Sequence, residues 1–246
     1  MKTTLVPTPP IPGGFRELDR NRCGFAEYFA SLLAQEPKLA GCVLDVGCGA
    51  EGPTTVDHKD QNLFRPLLAR AAQLDGLDPG PDVQRHKSLT NRWQSTLEAA
   101  PIPEGTYDLI VSFNVLEHVG DTKAFMAAMH RALKPDGVAW AMTPHGNHPF
   151  AWCVHLVELL KVKEKVGGDY QGLNKIPTYY RLNSMSKITR AAEGAGFQAV
   201  TYYFYPALQW ELYFPKLLRF VPRIYDWLLG ARFRPFYQQM LVKFER

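Results

Sequence analysis

Residues 42–52, CVLDVGCGAEG, decide how the rest of the chain is read. Cys42, Val43, Leu44 and Val46 make an apolar run suited to a strand buried on both faces of a parallel sheet. The run then breaks at Gly47 and Gly49, residues that accept positive φ and let the backbone approach a ligand closely. In an open α/β sheet such a turn lies where the strand order reverses, and adenosine-containing cofactors bind there. Glycine-rich turns between strand and helix also arise from packing alone, so the flanking segments have to decide.

Downstream, a second strand is expected to end at Leu77 and Asp78, before the turn formed by Pro79, Gly80 and Pro81. A carboxylate at a strand's carboxyl end can accept hydrogen bonds from both hydroxyls of a ribose. Asp78 lies 29 residues beyond Gly49, whereas the dinucleotide fingerprint places its acid roughly 20 residues on, so an insertion is expected around 52–60. Asp75 is the rival acid, but it sits earlier in the strand and is expected to face a helix or solvent. A short edge strand falls either at HKSL, 86–89, or beside Trp93.

The run DLIVSF, 108–113, reads as a central strand and leads into NVLEH, 114–118. A helix capped by Asp121 follows, with Phe125, Ala128, Met129, Ala132 and Leu133 at helical spacing and KPDG, 134–137, as its stop. A further strand is expected over 138–142. Strand, helix and strand in this order require a parallel sheet with right-handed crossovers. Upstream, Phe25, Phe29, Leu32 and Leu33 mark a helix ended by Pro37 and Gly41, which either packs on a sheet face or lids a ligand. The start, MKTTLVPTPPIPGG, reads as an extended arm with no apolar leader region.

Composition narrows the classes. The chain has 246 residues, 46% hydrophobic and 21% charged, enough for one domain with a full core. Its four cysteines, Cys23, Cys42, Cys48 and Cys153, form no CxxC pair, which argues against a disulfide scaffold or zinc knuckle and for a reducing, cytoplasmic setting. Residues 160–246 hold 14 Lys and Arg against 6 Asp and Glu, so the basic charge is confined to the C-terminal third. No nucleic-acid-binding signature accompanies it, and no nucleic-acid partner is expected.

Four ordered segments carry a resemblance: VLDVGCG at 43–49, LDP at 77–79, PIPEGTYDLIVSFNVLEHV at 101–119 and RALKPDGVAWAMTP at 131–144. Together they resemble the class I S-adenosylmethionine-dependent methyltransferases, in particular the type 11-like small-molecule group. The resemblance implies a Rossmann-like three-layer α/β/α sandwich, with a seven-stranded, mostly parallel sheet and an antiparallel last strand. Segments 198–205 and 238–244 become the sixth and seventh strands. The whole chain, 1–246, is then one methyltransferase domain, with an N-terminal arm and helix over 1–40 and substrate-side insertions at 144–182 and 206–236.

The implied cofactor is S-adenosylmethionine. By the resemblance Asp45, Gly47, Cys48 and Gly49 line its methionine and ribose part, Asp78 with Pro79 takes the ribose hydroxyls, and Asn114 with Val115 closes the floor. The family often carries an Asp before the PIP-type loop to contact adenine; this chain has Ser95, Thr96 and Leu97, so adenine recognition falls on Thr96, Leu97 or backbone. Rival readings are a nicotinamide-dependent oxidoreductase, which the missing Tyr-x-x-x-Lys relay disfavours, and a non-catalytic cofactor-binding scaffold.

Methyl transfer from a sulfonium is an in-line displacement in which alignment of the reacting groups counts most, and no metal or covalent residue is required. The expected reaction is O-methylation of a small molecule, with N- or C-methylation behind it. A phenol of pKa about 10 benefits from a base such as histidine, of pKa about 6.5. His118 is the first candidate, its alternative role being to cap or pack at the start of the following helix. Glu117 beside it orients the loop or reaches the cofactor's positive end.

His145 is the second catalytic candidate. It clusters with His148, His155 and Cys153, but their spacing matches no metal-ligand pattern; histidines at a strand's carboxyl end still lie near the acceptor, and His148 is expected to contact it. Tyr179, Tyr180 and Arg181 either bind the acceptor or seal a helix capped at Ser184. In the second insertion Leu217, Val221, Ile224 and Leu228 share one helical face, and Lys216, Arg219, Arg223 and Asp226 another. Pro215 and Pro222 shorten this helix, so it is expected to be a cap that buries its apolar face on the fold and suits a large apolar acceptor. The alternative is peripheral membrane contact through 208–229, anchored by Trp210 and Trp227.

Overall fold

The strands are β1 (Lys2–Leu5), β2 (Cys42–Val46), β3 (Gln73–Leu77), β4 (Arg92–Trp93), β5 (Tyr107–Phe113), β6 (Leu133–Pro144), β7 (Ala199–Tyr205) and β8 (Gln239–Glu245). They form one sheet in the order β1-β7-β8-β6-β5-β2-β3-β4. β8 alone runs antiparallel, to β6 on one side and β7 on the other, and the remaining pairs are parallel. The structure is a computed structural model that describes residues 1–5, 25–49, 67–148, 177–205, 220–225 and 239–246, with Trp152 and Leu228 besides.

The sheet has eight strands rather than the seven expected, because the first residues are not an unattached arm. Lys2 pairs with Ala199, and its amide donates to the Gln198 carbonyl at 2.8 Å. Four residues with two threonines suffice for an edge strand, and the prolines that argued for an arm begin only at Pro7. The short strand near the middle of the chain falls at Arg92–Trp93, not at 86–89.

Helices α1 (Phe25–Leu33), α2 (Thr122–Ala132), α3 (Met185–Ala195) and α4 (Phe220–Tyr225) accompany the sheet. Asp121 caps α2 through its carboxylate, which accepts from the amides of Lys123 at 3.1 Å and Ala124 at 3.0 Å. Leu133, expected as the last helical residue, already belongs to β6, and the register between β5 and β6 shifts around the KPDG turn.

Alternation along β2 and β5 sends side chains to both faces, as a covered parallel sheet requires. Leu44, Val46 and Ile110 pack with Phe125, Met129 and Ile188 from α2 and α3. Val43, Leu109 and Val111 pack with Tyr28, Phe29 and Leu33 from α1. The α1 face is fastened by Glu36, whose Oε2 accepts from Trp140 Nε1 at 3.0 Å and pairs with Lys243 Nζ at 3.0 Å. Glu36→Ala removes the partner of a buried indole N–H and leaves Lys243 with Glu245 at 3.8 Å, and is expected to lower stability by about 2 kcal/mol. Urea unfolding monitored by circular dichroism measures it, and Glu36→Gln should recover part of the loss by keeping the indole bond.

Candidate functional site

The turn after β2 is built against β3. Gly47 and Cys48 both donate amides to the Leu77 carbonyl, at 2.8 and 3.2 Å. Gly47 has φ +78° and Gly49 φ +61°, the left-handed region that side chains avoid. A Cβ on Gly47 would also collide with Val115 Cγ2, so the β5 exit packs directly on this turn. Asp78 closes it from the β3 side: one carboxylate oxygen accepts from the Gly49 amide at 3.0 Å, the other from Gly80 at 2.7 Å. Each oxygen keeps a lone pair for a further donor.

A cavity of about 480 Å³ opens beside this turn on the α1 face. Asp45, Gly47 and Cys48 line it from β2, residues 112–114 from β5, and Phe29 from α1, so α1 both packs on the sheet and walls the cavity. Ser112 Oγ and Asn114 Oδ1 are buried without a hydrogen-bond partner, and Asn114 has φ +54°. Buried polar atoms at a cavity wall that lack partners mark where a ligand's donors fit. Burial and the Asp78 charge push the Asp45 carboxyl up to about 7. Burial and the same two carboxylates push the Cys48 thiol far above its ordinary value.

The other predicted cofactor positions are less close. Pro79, Thr96, Leu97 and Val115 do not line the cavity, and neither do Gly49 and Asp78, which meet it through the turn they close. Leu97 is buried in the core on the α2 face, and Val115 acts through its contact with Gly47. Asp75 faces neither helix surface nor solvent: it is buried, accepting from Tyr107 Oη, Gln73 Nε2, and the backbone and side-chain amides of Asn91. It is a hub between β3 and β5, whereas Asp78 accepts from the amides of the glycine turn.

Beyond β5 the 3-10 turn Leu116–His118 sends two adjacent titratable residues opposite ways. His118 Nδ1 lies 2.8 Å from the Pro177 carbonyl. A carbonyl only accepts, so Nδ1 carries the proton and Nε2 the lone pair. Glu117 points inward, where burial raises its pKa to about 7 although Thr143 donates to it at 2.9 Å. Asn183 Nδ2 donates in turn to Thr143 Oγ1 and to the Pro144 carbonyl, both at 2.7 Å.

Residues 177–181 strap this turn from outside. The amides of Tyr179 and Tyr180 donate to the Glu117 carbonyl at 2.7 and 3.1 Å, and Arg181 Nη1 to the Gly120 carbonyl at 2.6 Å. The Arg181 guanidinium lies 5.3 Å from the centre of the exposed Tyr179 ring. His145 and His148 are buried; His145 packs against Phe204, and His148 meets Tyr225 edge-on at 5.4 Å. Burial, then the neighbouring His145, lowers His148 to about 4, so it is neutral at ordinary pH. Cys153 and His155 lie outside the described residues, and among those described no group of His, Cys, Asp or Glu is arranged to hold a metal ion.

Sequence reasoning passed over Ser112 and Asn183. Ser112 carried a signal, as the one polar side chain inside the apolar run 109–113. Asn183 carried none, because its role depends on Thr143, 40 positions away.

A family model described as a methyltransferase domain matches residues 18–202, well over half of the chain. The chain belongs to that family, its cofactor is S-adenosylmethionine, and the nicotinamide reading is set aside. Curated relatives include ubiquinone biosynthesis O-methyltransferases. The protein from Methylobacterium sp. (strain 4-46) is 28% identical over 45% of this chain and 44% of its own length. The one from Pseudomonas entomophila (strain L48) is 28% identical over 62% and 77%. The chain thus spans less than half the length of the first of these relatives.

Among solved structures, an S-adenosylmethionine-dependent methyltransferase from Mesorhizobium loti matches with a TM-score of 0.59 at 19% identity, over 91% of this chain and 99% of that one. One from Archaeoglobus fulgidus matches with 0.56 at 14%, over 90% and 94%. These likenesses establish the fold.

Gly47→Ala combines left-handed strain, costing about 1–3 kcal/mol, with the Val115 collision. It is expected to lower the melting temperature and to weaken S-adenosylmethionine binding at least about tenfold by calorimetry. Adding Val115→Ala should recover the steric part alone.

Proposed function

We propose that this chain methylates a hydroxyl of a small-molecule acceptor, with His118 as the base. The observation that carries the reading is the hydrogen bond from His118 Nδ1 to Pro177, which leaves Nε2 as the proton acceptor four residues beyond the cavity-lining Asn114. The names of the curated relatives support oxygen as the methylated atom, at an identity that leaves the acceptor open.

When bound, S-adenosylmethionine supplies a methyl group already activated on a sulfonium. The chain's own residues bind, orient and exclude water. Asp45 with the unpartnered oxygens of Ser112 and Asn114 suits the cationic methionine portion, and Asp78 offers its remaining lone pairs to ribose hydroxyls. Asp45→Asn tests the first role. His118 Nε2 takes the acceptor's hydroxyl proton as the oxygen attacks. Glu117, turned inward onto Thr143, holds the turn in place rather than meeting the acceptor. Tyr179, within the strap, presents an exposed ring available to the acceptor.

His118→Gln keeps a hydrogen-bonding side chain but removes the base, and is expected to lower kcat by about 10²–10³ while the cofactor Kd stays within about twofold. Transfer of labelled methyl to a series of 4-alkylphenols measures it. Parallel loss of cofactor affinity, or no loss of rate, overturns the assignment to His118; methylation of alkylamines in place of the phenols overturns oxygen as the target.

The cofactor's Kd should also depend on pH. Below about 7 Asp45 is protonated and offers no charge to a cation, and above it the carboxylate does. Calorimetric affinity is therefore expected to rise as pH passes upward through 7, and to become flat in Asp45→Asn. A wild-type profile that is already flat removes Asp45 from this role.

A further inference from the structure

Among the described residues, helix α4, FVPRIY, meets the rest of the protein on one side. Pro222 is buried and Tyr225 packs edge-on against His148. The other side is apolar and faces solvent: Phe220 is 56% exposed, Val221 47% and Ile224 51%, and Leu228 beyond the helix is 46% exposed. At about 100° per residue Phe220, Val221 and Ile224 fall within one arc of roughly 100°, and Pro222 lies opposite. The expected cap, with this face buried on the fold, is therefore corrected: the buried side is the one bearing Pro222 and Tyr225. Contiguous exposed apolar side chains are uncommon on a surface that meets only water.

The charge carried by the neighbouring sequence points to the partner. Residues 216–234 carry Lys216, Arg219, Arg223, Arg232 and Arg234 against Asp226 alone, and exposed Arg223 lies on α4 itself, flanking the stripe. Trp152, 60% exposed, donates its indole N–H to the Gly146 carbonyl, two residues before the His148 on which α4 rests. Exposed bulky apolar side chains, a nearby tryptophan and a basic flank are what a helix needs to lie in the headgroup region of an anionic bilayer. No described helix is long and apolar enough to cross a membrane. We propose that α4 is a peripheral docking surface for a bilayer bearing anionic lipid headgroups, with Phe220, Val221 and Ile224 entering the interface.

The test is flotation of the full chain with vesicles of phosphatidylcholine, with and without phosphatidylglycerol, at low and high salt. The wild-type chain is expected to float with the anionic vesicles and to be released by salt, since the basic contribution is screened. The double substitution Val221→Glu and Ile224→Glu changes exposed positions only. It should reduce the floated fraction about tenfold, with an unchanged calorimetric Kd for S-adenosylmethionine certifying the fold. Failure to float with anionic vesicles overturns the proposal, as does equal flotation with neutral ones or flotation indifferent to the double substitution. A vesicle-free dimer in sedimentation velocity that the substitution dissolves would reassign the stripe to a second copy of the chain. None of these outcomes bears on methylation of the phenols.

Discussion

The Leu77 carbonyl accepts two consecutive amides, those of Gly47 and Cys48, and the site's geometry depends on this fork. It ties the exit of β2 to the last residue of β3, so Asp78 arrives beside the Gly49 amide with no freedom to drift. The absence of a side chain at Gly47 admits Val115, which sets the exit of β5 against the same turn. Register across β3, β2 and β5 does the rest: Val46 stands between Leu77 and Ser112, so three strand ends open at one level. Strand order reverses at β2, and the crevice left there is the cavity.

What was legible in the sequence was local. A capped helix states its own start, and Asp121 does so for α2; an apolar run ending in glycines states a buried strand and its turn. Illegible features required a distant partner. β1 has no apolar run to announce it and exists because β7, nearly two hundred residues on, offers an edge. Asp75 and Asp78 stand three positions apart with the same chemistry, and only Tyr107 and Asn91 show that the former is structural. For α4 the hydrophobic pattern correctly implied an apolar face, but periodicity identifies a face and never what lies against it.

The turn after β5 joins the two halves of the site. Glu117 and His118 are neighbours in sequence, yet one is buried on Thr143 and the other is oriented by Pro177. Segment 177–183 touches both, through the amides of Tyr179 and Tyr180, the Pro177 carbonyl and the Asn183 side chain. The strap is therefore a clamp on the histidine's direction, and a change in its backbone would turn the imidazole without altering the cavity wall.

The glycine turn also holds a thiol. Cys48 lines the cavity, and a cysteine beside an alkylating agent is ordinarily a liability, because a thiolate would attack the methyl group before any acceptor did. Here burial and the two carboxylates, Asp45 and Asp78, keep the sulfur protonated and poorly nucleophilic. The two acids of the glycine turn thus also disfavour a thiolate on the cavity wall.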